Sequence, residues 1–304
     1  MNIRLSLRLL LTVAVLSLLC VPGLVSAQND EQIQAMEWRA IGPFNGGRGT
    51  SVVGHPTDPM VFWFGHSSGG LWKTEDAGAY WLPVGEGQFN YASVGAIAVS
   101  EKNPDIMYVG LGEPNMRQSV SWGDGMYKST DGGETWQHIG LESLKQIARI
   151  RIHPDNPDVV YVATPGHAFG PSEDRGVFKT TDGGKTWKKV LYKNEGTGAI
   201  DLVMSPGDPD VLFAALWEFA RHAWGAKTGG PDSGIWRTTD GGENWEEIST
   251  NPGLPEGAMG RIGLTMSAAD PKRVYAIVDS ETRQGLYRSD DVGDTWYFVS
   301  ADAN

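Results

Sequence analysis

Short apolar runs, rather than long amphipathic stretches, set the pattern of this chain. VFWFG, IMYVG, VVYVA, VLFAA and VYAIV each follow a polar turn that ends in proline: HPTDP (55–59), SEKNP (100–104), HPDNP (153–157), SPGDP (205–209) and SAADP (267–271). Further along each unit a second short run, GLWK, GMYK, GVFK, GIWR or GLYR, opens directly into another polar turn. Runs of this length bounded by Gly, Pro and Asp predict β-strands, and the tight turns predict antiparallel hairpins. Each unit therefore predicts an inner strand, a Pro turn, a second strand, a variable loop and a closing hairpin, four strands in all.

The closing turn is written five times: TEDAGAYW (74–81), STDGGETW (129–136), TTDGGKTW (180–187), TTDGGENW (238–245) and SDDVGDTW (289–296). Its Asp residues, Asp76, Asp131, Asp182, Asp240 and Asp291, recur at intervals of 55, 51, 58 and 51, a period that signals stacked supersecondary units. A carboxylate two positions after Ser or Thr can accept backbone N–H groups, and Gly supplies a positive φ for the reversal. The closing Trp of each copy, Trp81, Trp136, Trp187, Trp245 or Trp296, offers a large ring to bury behind the turn. The pattern S/T-x-D-x-G-x-x-W resembles the Asp-box, or BNR, repeat. That resemblance implies an all-β fold, a β-propeller of four-stranded antiparallel blades, with the Asp-boxes on the rim away from the functional face and their Asp and Trp residues structural.

The predicted layout is a signal peptide over 1–27, a linker over 28–37 and a propeller over 38–304, with blades near 43–86, 92–141, 146–192, 198–250 and 260–300. Arg4 and Arg8 precede an apolar run, and Val25, Ser26 and Ala27 offer a cleavage site. Cleavage there would remove Cys20, the single cysteine, and would place the domain outside the cytoplasm, secreted or periplasmic, without membrane insertion. WRAIG (38–42) matches the strand after the second Asp-box, WQHIG (136–140), yet the fifth unit already has its own outer strand. About five blades of a larger, incomplete arc are therefore expected, with a closed five-bladed ring as the alternative.

Forty glycines, 17 prolines and 12 tryptophans in 304 residues fit a turn-rich β protein. The net charge of −12, or −14 once Arg4 and Arg8 are gone, argues against nucleic acid as a partner. Aligning inner strands on the Pro turns brings Ser51, Ala96, Arg149, Asp201 and Gly263 to equivalent positions. Arg149 and Asp201 are thus expected either to meet across neighbouring blades or to face channel water separately.

Three long loops carry the candidate chemistry: 110–125, 164–176 and 217–234. Their binding candidates are Glu113, Arg117, Trp122, His167, Glu173, Arg175, Trp217, Glu218, Arg221 and Trp224. Aromatic faces stack on sugars or peptide groups while charged neighbours fix orientation. The alternative is that Glu113 pairs with Arg117, and Glu218 with Arg221, only to hold the loops. The histidines make no metal signature, so neither a metal nor a cofactor is expected.

WRAIGPFNGGRG, SSGGLWKTEDAG, GHAFGP and the repeated STDGGETW together resemble the sortilin-type propeller domain of large secreted bacterial proteins, often labelled glycosyl hydrolases. The resemblance implies a noncatalytic module that binds a protein, peptide or glycan through its loop face. A glycoside hydrolase is the alternative, since sialidases and xyloglucanases also use Asp-box propellers. In xyloglucanase-type enzymes a catalytic Asp stands ahead of Gly-Gly in the first blade, whereas HSSGGLW offers Ser67 there, and the arginine motif that opens sialidases is absent. An extracytoplasmic assembly factor resembling the photosystem-biogenesis propeller is the second alternative. No residue is expected to be catalytic on the first reading. Read as buried, Trp187 should cost about 3 to 5 kcal/mol on truncation to Ala, as measured by thermal melting.

Overall fold

The computed structural model describes residues 47–300, within a compact unit spanning Ile41–Asn304. The predicted signal peptide, linker and strand at 38–42 lie outside the described residues. Five four-stranded antiparallel sheets succeed one another along the chain. The first holds β1 (Gly49–Gly54), β2 (Phe62–His66), β3 (Leu71–Thr74) and β4 (Leu82–Val84). The second holds β5 (Val94–Val99), β6 (Met107–Leu111), β7 (Met126–Ser129) and β8 (Gln137–His138). The third holds β9 (Arg149–Ile152), β10 (Val160–Thr164), β11 (Gly176–Thr180) and β12 (Lys188–Leu191). In the fourth, β13 (Thr197–Met204) and β14 (Leu212–Glu218) precede a small hairpin, β15 (Ala220–His222) and β16 (Gly225–Lys227), before β17 (Gly234–Thr238) and β18 (Glu246–Glu247) complete the sheet. The fifth holds β19 (Met259–Met266), β20 (Val274–Ser280), β21 (Gly285–Ser289) and β22 (Tyr297–Ser300).

Inner strands β1, β5, β9, β13 and β19 pack successively against one another, the arrangement of propeller blades. Among the second strands, β6 and β10 are enclosed along their whole length and β14 nearly so, whereas β20 in the fifth sheet leaves Ile277 exposed. That enclosure explains the unbroken apolar runs, since each sheet face meets the next blade. The Pro turns are held by the side chain that opens them. His55 Nδ1 accepts from the backbone N–H of Asp58 (3.0 Å), and His153 Nδ1 from that of Asp155 (3.2 Å). Ser100, Ser205 and Ser267 do the same with Oγ.

All five Asp-boxes share one bonding scheme. In the second, Ser129 Oγ donates to Asp131 Oδ1 (2.7 Å) and accepts from Gly133 N (2.9 Å), while Asp131 also accepts from the N–H (2.9 Å) and hydroxyl (2.5 Å) of Thr135. The fourth residue of the box then donates its N–H to the carbonyl just beyond the Pro turn of the same blade: Ala77 to Met60, Gly132 to Asp105, Gly183 to Asp158, Gly241 to Asp210 and Val292 to Lys272. This position has positive φ throughout, and Ala77 (56°) and Val292 (60°) adopt it where the other boxes place Gly.

Each closing Trp from Trp136 onward seats in the cluster shared with the preceding blade. Trp136 packs with Trp63 and Val94, Trp187 with Tyr108 and Met126, Trp245 with Tyr161, and Trp296 with Phe213 and Ile248. Trp136 and Trp296 are buried, while Trp81, Trp187 and Trp245 are half-buried. The expectation of full burial at Trp187 is therefore corrected. Its ring edge stays open, and Nε1 reaches across the seam to the carbonyl of Ile139 (2.8 Å).

Trp296→Ala should thus cost about 3 to 5 kcal/mol and Trp187→Ala about 2 to 3, an order that paired thermal melts would check. The hydroxyl and N–H of Thr135, then the Ser129 hydroxyl, hold Asp131 down at about 2, against an ordinary 3.8. The N–H and side-chain amide of Asn244 hold Asp240 at about 2, and the Thr186 hydroxyl lowers Asp182. Because the unfolded chain takes up these protons first as pH falls, the stability these groups contribute is complete above pH ~4 and lost towards pH ~2. A melting temperature that stayed flat across that interval would show that the turns do not need their charge.

Candidate functional site

The loops between second and third strands lie opposite the Asp-boxes, and three of them build the candidate face. In the second blade, Glu113 is wholly buried. Its carboxylate is forked by Arg48, Nε to Oε1 at 2.7 Å and Nη2 to Oε2 at 2.5 Å, and Nη2 also reaches the carbonyl of Ser119 (3.1 Å). The partner is therefore Arg48, ahead of β1, and not Arg117, which is exposed. Arg48 escaped the sequence reading because it is 65 residues from Glu113; the visible trace was an arginine set in the glycine run NGGRG. Ser67, where the xyloglucanase resemblance wants an Asp, is buried as well. Its N–H donates to the Arg48 carbonyl (3.0 Å) and its Oγ accepts from the Arg48 N–H (3.4 Å).

Next to this buried knot runs an aromatic row. Trp122 meets the His167 ring at 5.6 Å, and His167 meets Phe169 at 6.0 Å. Trp122 and Phe169 are both exposed, so the row presents ring surface to solvent. Beneath it lies Arg175, 1% exposed, which donates to the carbonyls of Pro165 (2.8 Å), His167 (3.0 Å), Gly170 (3.2 Å) and Phe219 (3.1 Å). Burial draws its pKa down to about 10. Arg175 is thus an internal clamp joining the third and fourth blade loops, and its expected place among the exposed binding groups is corrected. Glu173 is exposed, while its backbone carbonyl accepts from Lys189 Nζ.

In the fourth blade Trp217 is also interior, with Nε1 bonded to the carbonyl of Thr228 (3.0 Å) and its ring 4.4 Å from Phe219. This too corrects the expectation of an exposed ring. Glu218 pairs with Lys227 rather than with Arg221. Arg221 is half-buried, its N–H donating to the carbonyl of Ala168 (2.8 Å). At the tip of the β15–β16 hairpin, Trp224 is 86% exposed and lies flat on His222, with rings 5.1 Å apart and 5° from parallel. The face therefore keeps Arg117, Trp122, His167, Glu173, Arg221 and Trp224 within reach of a ligand, and withdraws Glu113, Arg175 and Trp217.

Residues 124–251 match the family model described as sortilin, neurotensin receptor 3. In fold, the chain is similar to the GH74 xyloglucanase of Xanthomonas campestris, with a TM-score of 0.60 and 19% identity over 84% of this chain and 39% of that one. An ancestral GH74 enzyme gives a TM-score of 0.61 and 18% identity over 84% and 34%. The chain is an Asp-box β-propeller. Among curated relatives, a xyloglucanase of a Paenibacillus species is 28% identical over 64% of this chain and 20% of its own length. A xyloglucanase of Acetivibrio thermocellus is 23% identical over 83% and 31%. The chain therefore spans a fifth to a third of the relatives it matches.

These findings overturn the expectation of a noncatalytic recognition module, because the named relatives of this propeller are glycoside hydrolases. The expectation followed from the sortilin-type resemblance and from two departures from known hydrolases, the missing sialidase arginine motif and Ser67, which the fold makes an internal anchor for Arg48. For Glu113→Gln, loss of the fork to half-exposed Arg48 should cost about 1 to 3 kcal/mol in chemical denaturation. A catalytic Glu113 would instead keep its stability and lose turnover.

Proposed function

We propose that this chain forms a substrate-holding part of a glycoside hydrolase that acts on xyloglucan-type polysaccharides. The observation that carries the reading is the run of xyloglucanase relatives along most of the described blades, joined to an aromatic loop face of the kind that stacks on sugar rings. Trp122, His167 and Phe169 offer one platform, and Trp224 on His222 offers a second. Arg117, Glu173 and Arg221 supply charged groups for sugar hydroxyls. A polysaccharide of this size is met outside the cytoplasm, in keeping with the apolar N-terminal run.

Hydrolysis needs two carboxyl groups across the glycosidic bond. Glu113 is enclosed and cannot meet a substrate. Glu218 borders the loop face, with Lys227 against Oε1 and the Asp232 N–H 3.5 Å from Oε2. It is the carboxylate we assign to the reaction from this chain.

Calorimetric titration with a xyloglucan oligosaccharide should show binding, and Trp224→Ala should weaken it several-fold. Where the second carboxyl group is supplied, Glu218→Gln should lower turnover by about two orders of magnitude or more. Absence of xyloglucan binding by the folded protein would retire the reading.

A further inference from the structure

The inner strands bring together charge that the loop face does not use. Arg149 on β9 meets Asp201 on β13, Nε to Oδ1 at 2.8 Å, settling the open alternative in favour of a bond between neighbouring blades. Asp201 is 7% exposed and already engaged: Oδ1 also accepts from Leu202 N (2.9 Å), and Oδ2 from Leu264 N (2.9 Å). Two further guanidinium groups lie within electrostatic reach of this pair, Arg151 and Arg261. Arg151 is two residues beyond Arg149, on the same side of β9. It donates to the carbonyl of Ile150 (3.1 Å) and has no carboxylate within ion-pair distance among the described residues. Arg261 sits over the ring of Trp217 at 5.7 Å and touches Asn115 Oδ1 at 3.3 Å. It is open to water yet ringed by protein, and that burial, followed by the like charge of Arg149, lowers its pKa.

Three guanidinium groups therefore surround one committed carboxylate in a chain whose net charge is −12. Such an excess of positive charge is costly unless an anion completes it. Arg149 and Arg151 also line a cavity of about 540 Å³, together with Thr50, Ser51 and Phe64. The volume suits one sugar ring with its neighbours.

We propose that this channel cavity is a subsite for a carboxylate-bearing sugar, a uronic acid residue, with Arg149 and Arg151 as its carboxylate ligands. Arg guanidinium groups take a carboxylate in two parallel hydrogen bonds, the geometry a ring-borne carboxylate presents. The choice of a sugar as carrier rests on the glycoside-hydrolase reading, whereas the anion site itself does not.

Calorimetric titration with trigalacturonate, its methyl ester and a neutral xyloglucan oligosaccharide tests the assignment. The free acid should bind, the ester should bind at least about tenfold more weakly, and Arg151→Gln should remove that preference. For wild-type protein, raising salt from about 0.05 M to about 0.5 M should weaken binding of the acid but not of the neutral oligosaccharide, a readout that needs no variant to fold. Equal binding of acid and ester, or an acid preference unchanged in Arg151→Gln, overturns the proposal. So does a short peptide that displaces trigalacturonate through its free C-terminal carboxylate and binds more tightly than it. Binding of the neutral xyloglucan oligosaccharide in the same titrations separates the two readings: neutral binding without an acid preference strikes only this subsite, and acid binding without neutral binding strikes only the xyloglucan reading.

Discussion

Each blade is closed by a carboxylate that has turned towards its own backbone. The Asp of every box accepts an N–H and a Ser or Thr hydroxyl from within its own turn, and the same turn donates an N–H to the carbonyl beyond the Pro turn. Two local reversals of one sheet are thereby locked together, and the sheet can present its remaining loops on the opposite face. The arrangement fixes register without a large turn-side core, because a carboxylate saturated by local donors needs no ion-pair partner. The long loops are free to differ in sequence because the hairpins opposite them do not.

Legibility in the sequence divides along the same line. Strand number, Pro turns and Asp-boxes depend on residues close in the chain, and their repetition made each copy a check on the others. Alignment of repeats even brought Arg149 and Asp201 to one level, because equivalent positions in neighbouring blades face one another. The loop contacts were not legible in the same way. Glu113 chose Arg48, 65 residues earlier, over the much nearer Arg117, and Glu218 chose Lys227 over Arg221. Sequence proximity within a loop says little about which charged groups meet, since a loop's path is set by the blades that anchor it.

Burial shows the same limit. Trp217 and Arg175 carry the side chains of a binding face, yet both serve the frame beneath it. Arg175 replaces a counter-ion with four carbonyl groups from two blades. A position that wants a planar fork of donors selects Arg whether or not a carboxylate is present. Composition alone cannot separate that role from ligand recognition.

The seating of the Asp-box Trp residues from Trp136 onward in the seam with the blade before gives the array a direction. The core of one unit is sealed only when the hairpin of the next has formed, so cooperativity passes between nearest neighbours rather than through a common centre. A chain emerging N-terminus first would fold by successive completion, each new unit finishing its predecessor while its own flank waits for its successor.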